Sequence, residues 1–308
     1  MTRALVITNP VAARTEGPAV RAVLDELRAG GWQADALATH GPGDARRFAE
    51  EAVAAGYDVL VSYGGDGTAM QIAAALVGTG IPLGLVSGGT GNLLAGNLRL
   101  PRRPDAAARA IVRGRSRPVD LGAVERADGT HYFAVACGAG FDAELMAGTA
   151  AAAKQRWKMA AYVGHALTVL PAVQSVAHRV VVDGQAHEVP AAMVLVANCG
   201  ELMPPFLRLG PSVVPDDGWF DIIALRADGV VGSVAAFVDL LRGIETGSTR
   251  LWVARGRVVE IATLEPPVRP VELDGDAAGV TPVTARLLPH ALHVVAAERT
   301  RPVRRARA

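Results

Sequence analysis

Gly64-Gly65-Asp66-Gly67-Thr68 ends the apolar run that starts near Tyr57, and its residue types suit contact with phosphate. Three glycines in four positions let the backbone turn sharply and come close to a bulky anion. A helix read from Thr68 to Val77 would offer unpaired N–H groups and the positive end of its dipole. A carboxylate in such a loop repels phosphate unless a cation stands between them, so Asp66 points to Mg²⁺ together with a nucleotide. A tight turn with an ordinary N-cap would account for one or two glycines and Thr68, but not for the whole set. A second loop, Ser87-Gly88-Gly89-Thr90-Gly91-Asn92, follows the apolar segment 82–86 and precedes the helical pattern Leu93-Leu94-Ala95.

These loops must be held by strands. The alternation at Val59 and Val61 reads as a buried strand, and Ala4–Thr8, Gln33–Ala38 and 82–86 read the same way. The first ends in Asn9-Pro10, the second in Thr39-His40-Gly41-Pro42-Gly43-Asp44. Strands, glycine turns and helices alternate through about residue 115, the pattern of a doubly wound α/β domain with a ligand crevice at the carboxyl ends of its strands. The sequence therefore predicts a nucleotide-binding domain over 1–118 and a second domain over 119–296.

The second domain reads as β-rich. Short runs at 118–124, 131–137, 179–182, 191–198, 219–225, 258–262, 268–273 and 292–296 are separated by Asp128-Gly129, Asp183-Gly184 and Asp274-Gly275, at a spacing that suggests a β-sandwich. Two helical interruptions are expected, near 143–170 and 229–243. The first carries Lys154, Arg156, Trp157, Lys158, Met159, Tyr162 and Val163, cations beside apolar and aromatic groups. Such a helix suits an anionic membrane surface, and suits equally a solvent-exposed helix covering the sandwich. The arginines at 299, 301, 304, 305 and 307 read as a solvated end.

Composition limits the classes. The chain has 308 residues with a formal net charge of +1, which argues against a nucleic-acid partner. No apolar stretch of about 18 residues free of charge appears, and the first residues enter a strand directly, so a cytoplasmic protein peripheral to the inner membrane face is expected. Cys137 and Cys199 lie far apart in apolar runs and read as reduced core thiols, while His290 and His293 read as flanking a strand rather than holding zinc. Lys154 and Lys158 are the only lysines, so no glycine loop has a Walker-type lysine. Phosphate charge would fall to backbone N–H groups, metal and arginine.

Taken together in order, Asn9-Pro10, Thr39 with Gly43-Asp44-Ala45, the 64–68 loop, Gly89-Thr90-Gly91-Asn92 with Leu94-Ala95, Asp120-Leu121-Gly122, Gly140-Phe141-Asp142-Ala143, the 215–221 segment and Asp274-Gly275 resemble the diacylglycerol kinase catalytic-domain family, soluble bacterial lipid kinases above all. Sphingosine and ceramide kinases are relatives. The resemblance spans nearly the whole chain. It implies an ATP- and Mg²⁺-dependent transfer of the γ-phosphoryl group to the hydroxyl of diacylglycerol or a similar lipid alcohol, in a cleft between an α/β domain, to which the tail 297–308 returns, and a β-sandwich. By that resemblance Gly64, Gly65, Gly67, Thr68, Gly89, Thr90 and Asn92 cradle the nucleotide, Asn9 and Thr39 line its far side, and Asp66 acts through metal.

In Pro215-Asp216-Asp217-Gly218 the residues alone suggest a turn. The resemblance adds a structural Mg²⁺ at Asp217, with the carbonyls of Val214 and Trp219 as further ligands. Two departures stand out: Ser87 where the family has proline, and Asp276 where its Asp-Gly-Glu pattern has glutamate, the carboxylate taken as catalytic base. Aspartate is one methylene shorter, and a base must reach within about 2.6–3.2 Å of its proton, so the role falls to Asp276 or passes to Asp66. An NAD or sugar-phosphate kinase with the same loop, or a nucleotide-binding regulator without catalysis, are the alternatives. An oligomer is compatible with the sequence.

Overall fold

A computed structural model describes residues 1–140, 173–203, 207–210, 212–242 and 247–296. The chain divides into two compact units, Met1–Pro118 with the chain from Leu292, and Val119–Ala291.

The first unit is doubly wound. Strands β1 (Arg3–Thr8), β2 (Gln33–Ala38), β3 (Val59–Gly64) and β4 (Leu83–Ser87) lie parallel in the order β2-β1-β3-β4. Beyond β4, Val294 near the C-terminal end of the last strand pairs in parallel with Leu83. Successive residues of β1 face opposite ways. Ala4 and Val6 join a core with Val23 and Leu27 of α1 (Gly17–Ala29) and Ala107, Ala108 and Ile111 of α5 (Pro104–Arg113). α2 (Asp44–Ala54) packs against α3 (Asp66–Leu76). The chain passes from β1 to β2 on one side and then to β3 on the other, so the order reverses between β1 and β3, the switch point where open α/β sheets leave a crevice.

The second unit is a β-sandwich. Between β4 and its core strands the chain runs through α4 (Leu93–Asn97), α5 and β5 (Arg115–Arg126), which pairs with β6 (Gly129–Phe133). One antiparallel sheet follows the order β14 (Leu251–Gly256), β13 (Phe220–Leu225), β10 (Met193–Ala197), β7 (Ala136–Gly140), β16 (Pro270–Leu273), β17 (Asp276–Val280). The other is formed by β15 (Val258–Thr263), β8 (Val176–Val182) and β9 (Gln185–Ala191), with the first part of β18 (Val283–Ala296) beside β15. Inward residues of both interdigitate: Val180, Val182, Val259 and Ile261 meet Cys137, Val194, Ile222 and Val271, and Phe133 stacks on Phe220 with centroids 5.5 Å apart. A short pair, β11 (Glu201–Met203) and β12 (Leu207–Arg208), and helix α6 (Gly229–Leu241) complete the described elements.

Several boundaries differ from expectation. The run at 131–137 is two strands, β6 and β7, broken at Ala134-Val135. The break has a cause: the Asp274 carboxylate accepts the N–H groups of Ala134, Val135 and Ala136 at 2.7, 2.8 and 2.9 Å, drawing the backbone out of the ladder. α3 begins at Asp66 rather than Thr68, and β9, β14 and β17 had no counterpart in the sequence reading. The expected helix at 143–170, with its cationic and aromatic cluster, and the 297–308 tail lie outside the described residues. Among the described residues no helix is long and apolar enough to cross a membrane.

Candidate active site

The two glycine loops meet at the carboxyl ends of β3 and β4 and are fitted to each other. Gly88 and Gly89 both donate their N–H to the Gly64 carbonyl, at 2.8 and 3.1 Å. A Cβ on Gly89 would stand 2.6 Å from the Gly65 Cα, and one on Gly64 would stand 2.7 Å from the Thr68 hydroxyl. Part of the glycine requirement is therefore loop-on-loop packing, a use that composition did not distinguish from approach to an anion. Gly65 is extended and precedes α3, while Gly67, Thr90 and Gly91 remain exposed.

Asp66 bridges the loops. Its Oδ1 accepts the Leu93 N–H at 2.6 Å, so the carboxylate caps the start of α4. Burial raises its carboxyl above the ordinary value, against the backbone N–H groups of Leu93, Asn92 and Leu94, which pull it down. Asn92 has φ of 51° and binds Gly89 at both ends of its amide, accepting the Gly89 N–H at 3.0 Å and donating to its carbonyl at 2.8 Å. Its side chain shapes the loop.

Across the switch point the loop after β1 joins the same place. Asn9 Nδ2 lies 3.4 Å from the Thr68 hydroxyl, and the Asn9 backbone N–H reaches the Tyr63 carbonyl at 3.1 Å. Thr15 donates to the Asn9 carbonyl at 2.6 Å, and Tyr63 donates its buried hydroxyl to the Arg14 carbonyl. Thr39 continues the β1–β2 ladder through its N–H to the Thr8 carbonyl and sits half-buried at the end of β2. Asn9, Thr39 and both glycine loops thus stand at the carboxyl ends of the first unit's parallel strands. Tyr63 and Thr15 were not singled out by the sequence, because their work is internal support that no motif marks.

On the second unit Asp276 opens β17, the edge strand of its sheet. Partial removal from water raises its carboxyl, and the residue's exposure limits that rise. Asp274, two residues earlier, is committed to three backbone amides. Asp120-Leu121-Gly122 is structural: Asp120 receives the N–H groups of Gly218 and His290, Leu121 is buried, and Gly122 leaves room for the Phe133 ring. Cys137 and Cys199 are buried thiols, Cys199 donating to the Ala134 carbonyl, and burial pushes the Cys137 thiol upward.

A hard cation at the Asp217 turn would need carboxylate oxygens open to it. Asp217 Oδ1 accepts the Trp219 N–H at 3.1 Å, and Oδ2 forms an ion pair with Arg255. Mg²⁺ asks for octahedral oxygen ligands. With a guanidinium on one oxygen and an amide on the other, the Asp217 carboxylate, the side chain expected to anchor the ion with the Val214 and Trp219 carbonyls, does not fit it. Among the described residues no three His, Cys, Asp or Glu side chains are grouped to hold a metal.

The diacylglycerol kinase catalytic domain matches residues 3–124, and the YegS C-terminal NAD kinase beta sandwich-like domain matches 135–296. A diacylglycerol kinase of Mycobacterium tuberculosis is 29% identical over 299 residues, covering 94% of this chain and 93% of its own. A probable YegS-like lipid kinase of Pseudomonas putida is 30% identical, covering 89% of each chain. A solved structure of a putative diacylglycerol kinase from Bacillus anthracis superposes with a TM-score of 0.77 at 24% identity, over 96% of this chain and 97% of that one, and shows the shared fold. The chain belongs to the diacylglycerol kinase catalytic-domain family of phosphotransferases with an alcohol acceptor, and carries that family's YegS-type C-terminal sandwich.

Proposed function

We propose that the chain is an ATP- and Mg²⁺-dependent lipid kinase that phosphorylates diacylglycerol or a similar lipid alcohol. The observation that carries this reading is the pair of interlocked glycine loops beside the β1–β3 switch point, in a chain whose named lipid-kinase relatives align over about nine-tenths of it. Exposed backbone at Gly67, Thr90 and Gly91 supplies N–H donors for phosphate oxygens, with Asn9 and Thr39 on the far side of the nucleotide. Mg²⁺ that arrives with ATP neutralises charge on the phosphates. Asp66 keeps the two loops in register and places one negative charge beside them. Asp276 is assigned to accept the hydroxyl proton, for which a raised carboxyl is suited. Lys154, Arg156, Trp157 and Lys158 would meet the anionic surface that holds the lipid.

The test is incubation with γ-labelled ATP and a total lipid extract, with products separated by thin-layer chromatography. Label in an organic-soluble phospholipid is expected. Parallel reactions with NAD and a sugar phosphate serve the alternative kinases, and label confined to either of those would overturn the lipid assignment. No transfer to any acceptor by folded, ATP-binding protein would leave a nucleotide-binding regulator.

A further inference from the structure

The turn Pro215–Trp219 is fastened from several directions within the second unit. Asp120, whose side chain is fully buried, accepts the Gly218 N–H at 2.7 Å and the His290 N–H at 2.8 Å. The Asp120 N–H in turn reaches the Pro215 carbonyl at 2.7 Å. Arg257 donates through Nε to the Gly218 carbonyl at 3.1 Å and lays its guanidinium 4.5 Å above the Trp219 ring. Arg255 completes the set. It faces Asp221 across the β13–β14 register, places Nε 3.2 Å from Asp221 Oδ1, and binds Asp217 Oδ2 through Nη2.

Two carboxylates thus converge on one cation. The side chains of Asp217 and Asp221 are each 6% exposed, so their charge has little water around it and needs a counter-charge. A guanidinium is more weakly hydrated than most cations, and its fork can serve two carboxylates at once. Mg²⁺ gives up its water reluctantly and demands near-ideal octahedral geometry. Arg255 has its backbone placed by the sheet, so only its side chain is left to be ordered when the pair forms. A divalent ion at Asp217 would have to displace this guanidinium or stand beside a like charge.

We propose that Arg255 is the resident cation of the Asp217 turn and takes the place of the divalent ion that the family resemblance implies, so that this part of the fold is held without Mg²⁺. The proposal does not depend on the lipid-kinase reading, because its test contains neither nucleotide nor lipid.

The test follows thermal unfolding of the full chain in MgCl₂ titrations at ionic strength matched with NaCl. A native-state Mg²⁺ site would raise the midpoint steadily with concentration. Wild type and Asp217→Asn are expected to show no Mg²⁺-dependent rise. Arg255→Gln should unfold on the order of 5 °C lower, and, with both carboxylates released, should gain a Mg²⁺-dependent rise that Arg255→Gln/Asp217→Asn lacks. A Mg²⁺-dependent rise in wild type that Asp217→Asn abolishes would overturn the proposal, as would an Arg255→Gln protein as stable as wild type. The wild-type and Asp217→Asn titrations decide the matter even if Arg255→Gln fails to fold.

Discussion

Asp66 and Asp276 carry the chemistry assigned to single side chains, and the structure gives them different surroundings. Asp66 is largely removed from water and caps α4 through the Leu93 N–H. Asp66→Asn keeps the shape and the accepting oxygen while removing the charge. The expected result is a folded protein whose kcat falls by 10²–10³, about 2.7–4 kcal/mol, the usual cost of one interaction made in the transition state; kcat within about twofold of wild type would remove Asp66 from the catalytic set. The same variant has a pH signature. Burial raises the Asp66 carboxyl above 3.8, so between that value and the folded one the native state binds more protons than the unfolded state. Stability from this group is therefore greatest at low pH and falls as pH rises through the folded value. Asp66→Asn should flatten that part of the stability–pH curve, which unfolding midpoints measured from about pH 4 upward would show.

Asp276 is exposed, so replacing it should leave stability nearly unchanged. If it accepts the hydroxyl proton, Asp276→Asn should lower kcat by about 10²–10⁴ with ATP affinity retained. Asp276→Glu, the family residue, should retain activity. Single-turnover phosphorylation of diacylglycerol at saturating ATP separates the three proteins, and equal rates for Asp276→Asn and wild type would shift the role of base to Asp66.

At the scale of elements, the sequence revealed whatever depends on local periodicity. The strands at 33–38 and 83–87 and the helix from Gly229 follow from apolar spacing and turn residues. What stayed hidden was set by distant partners. The 131–137 run has the pattern of one strand, and it is broken by a carboxylate about 140 positions away in the chain. β9 contains Pro190 and several polar residues and is a strand because β8 pairs with it along its whole length. The same limit applied to the site. The glycine loops were legible from residue type and Asn9 from its place in the motif order that carries the resemblance, whereas the Gly64–Gly88 packing and the Arg255 pair involve residues that look ordinary in a one-dimensional reading. Asp274 gives a direct measure of such a distant determinant. Asp274→Ala leaves three backbone N–H groups without their acceptor, and hydrogen bonds to a charged group are worth about 1.5–3 kcal/mol each before relaxation. A loss of at least about 3 kcal/mol is expected, read as a fall of roughly 6–12 °C in the unfolding midpoint for a unit of this size. A fall of less than about 2 °C would mean that the 134–136 backbone holds its path without Asp274.

At the scale of the whole molecule, a kinase acting on a lipid alcohol has to work where its substrate is, in a bilayer, although no described helix could cross one. We propose peripheral binding to anionic lipid, which is built from cations and apolar groups, each cation near the surface contributing about 1 kcal/mol. The chain's two lysines fall in one cluster, Lys154 and Lys158, flanking Arg156 and Trp157, while every other basic residue apart from histidine is arginine, in a nearly neutral chain. Lys154→Gln/Lys158→Gln should therefore weaken binding to phosphatidylglycerol vesicles by about 2 kcal/mol, roughly 30-fold, at low salt. Binding to neutral phosphatidylcholine vesicles should change little, and the difference between wild type and variant should shrink at high salt, since the Debye length falls from about 30 Å at 0.01 M to about 8 Å at 0.15 M. Activity toward a short-chain diacylglycerol dispersed in solution should be preserved, because that substrate needs no surface. This last measurement separates a docking defect from a catalytic one. Unchanged affinity for anionic vesicles would assign the 154–158 cluster to an ordinary solvated surface, and a parallel loss on the soluble substrate would place its effect on folding or catalysis instead.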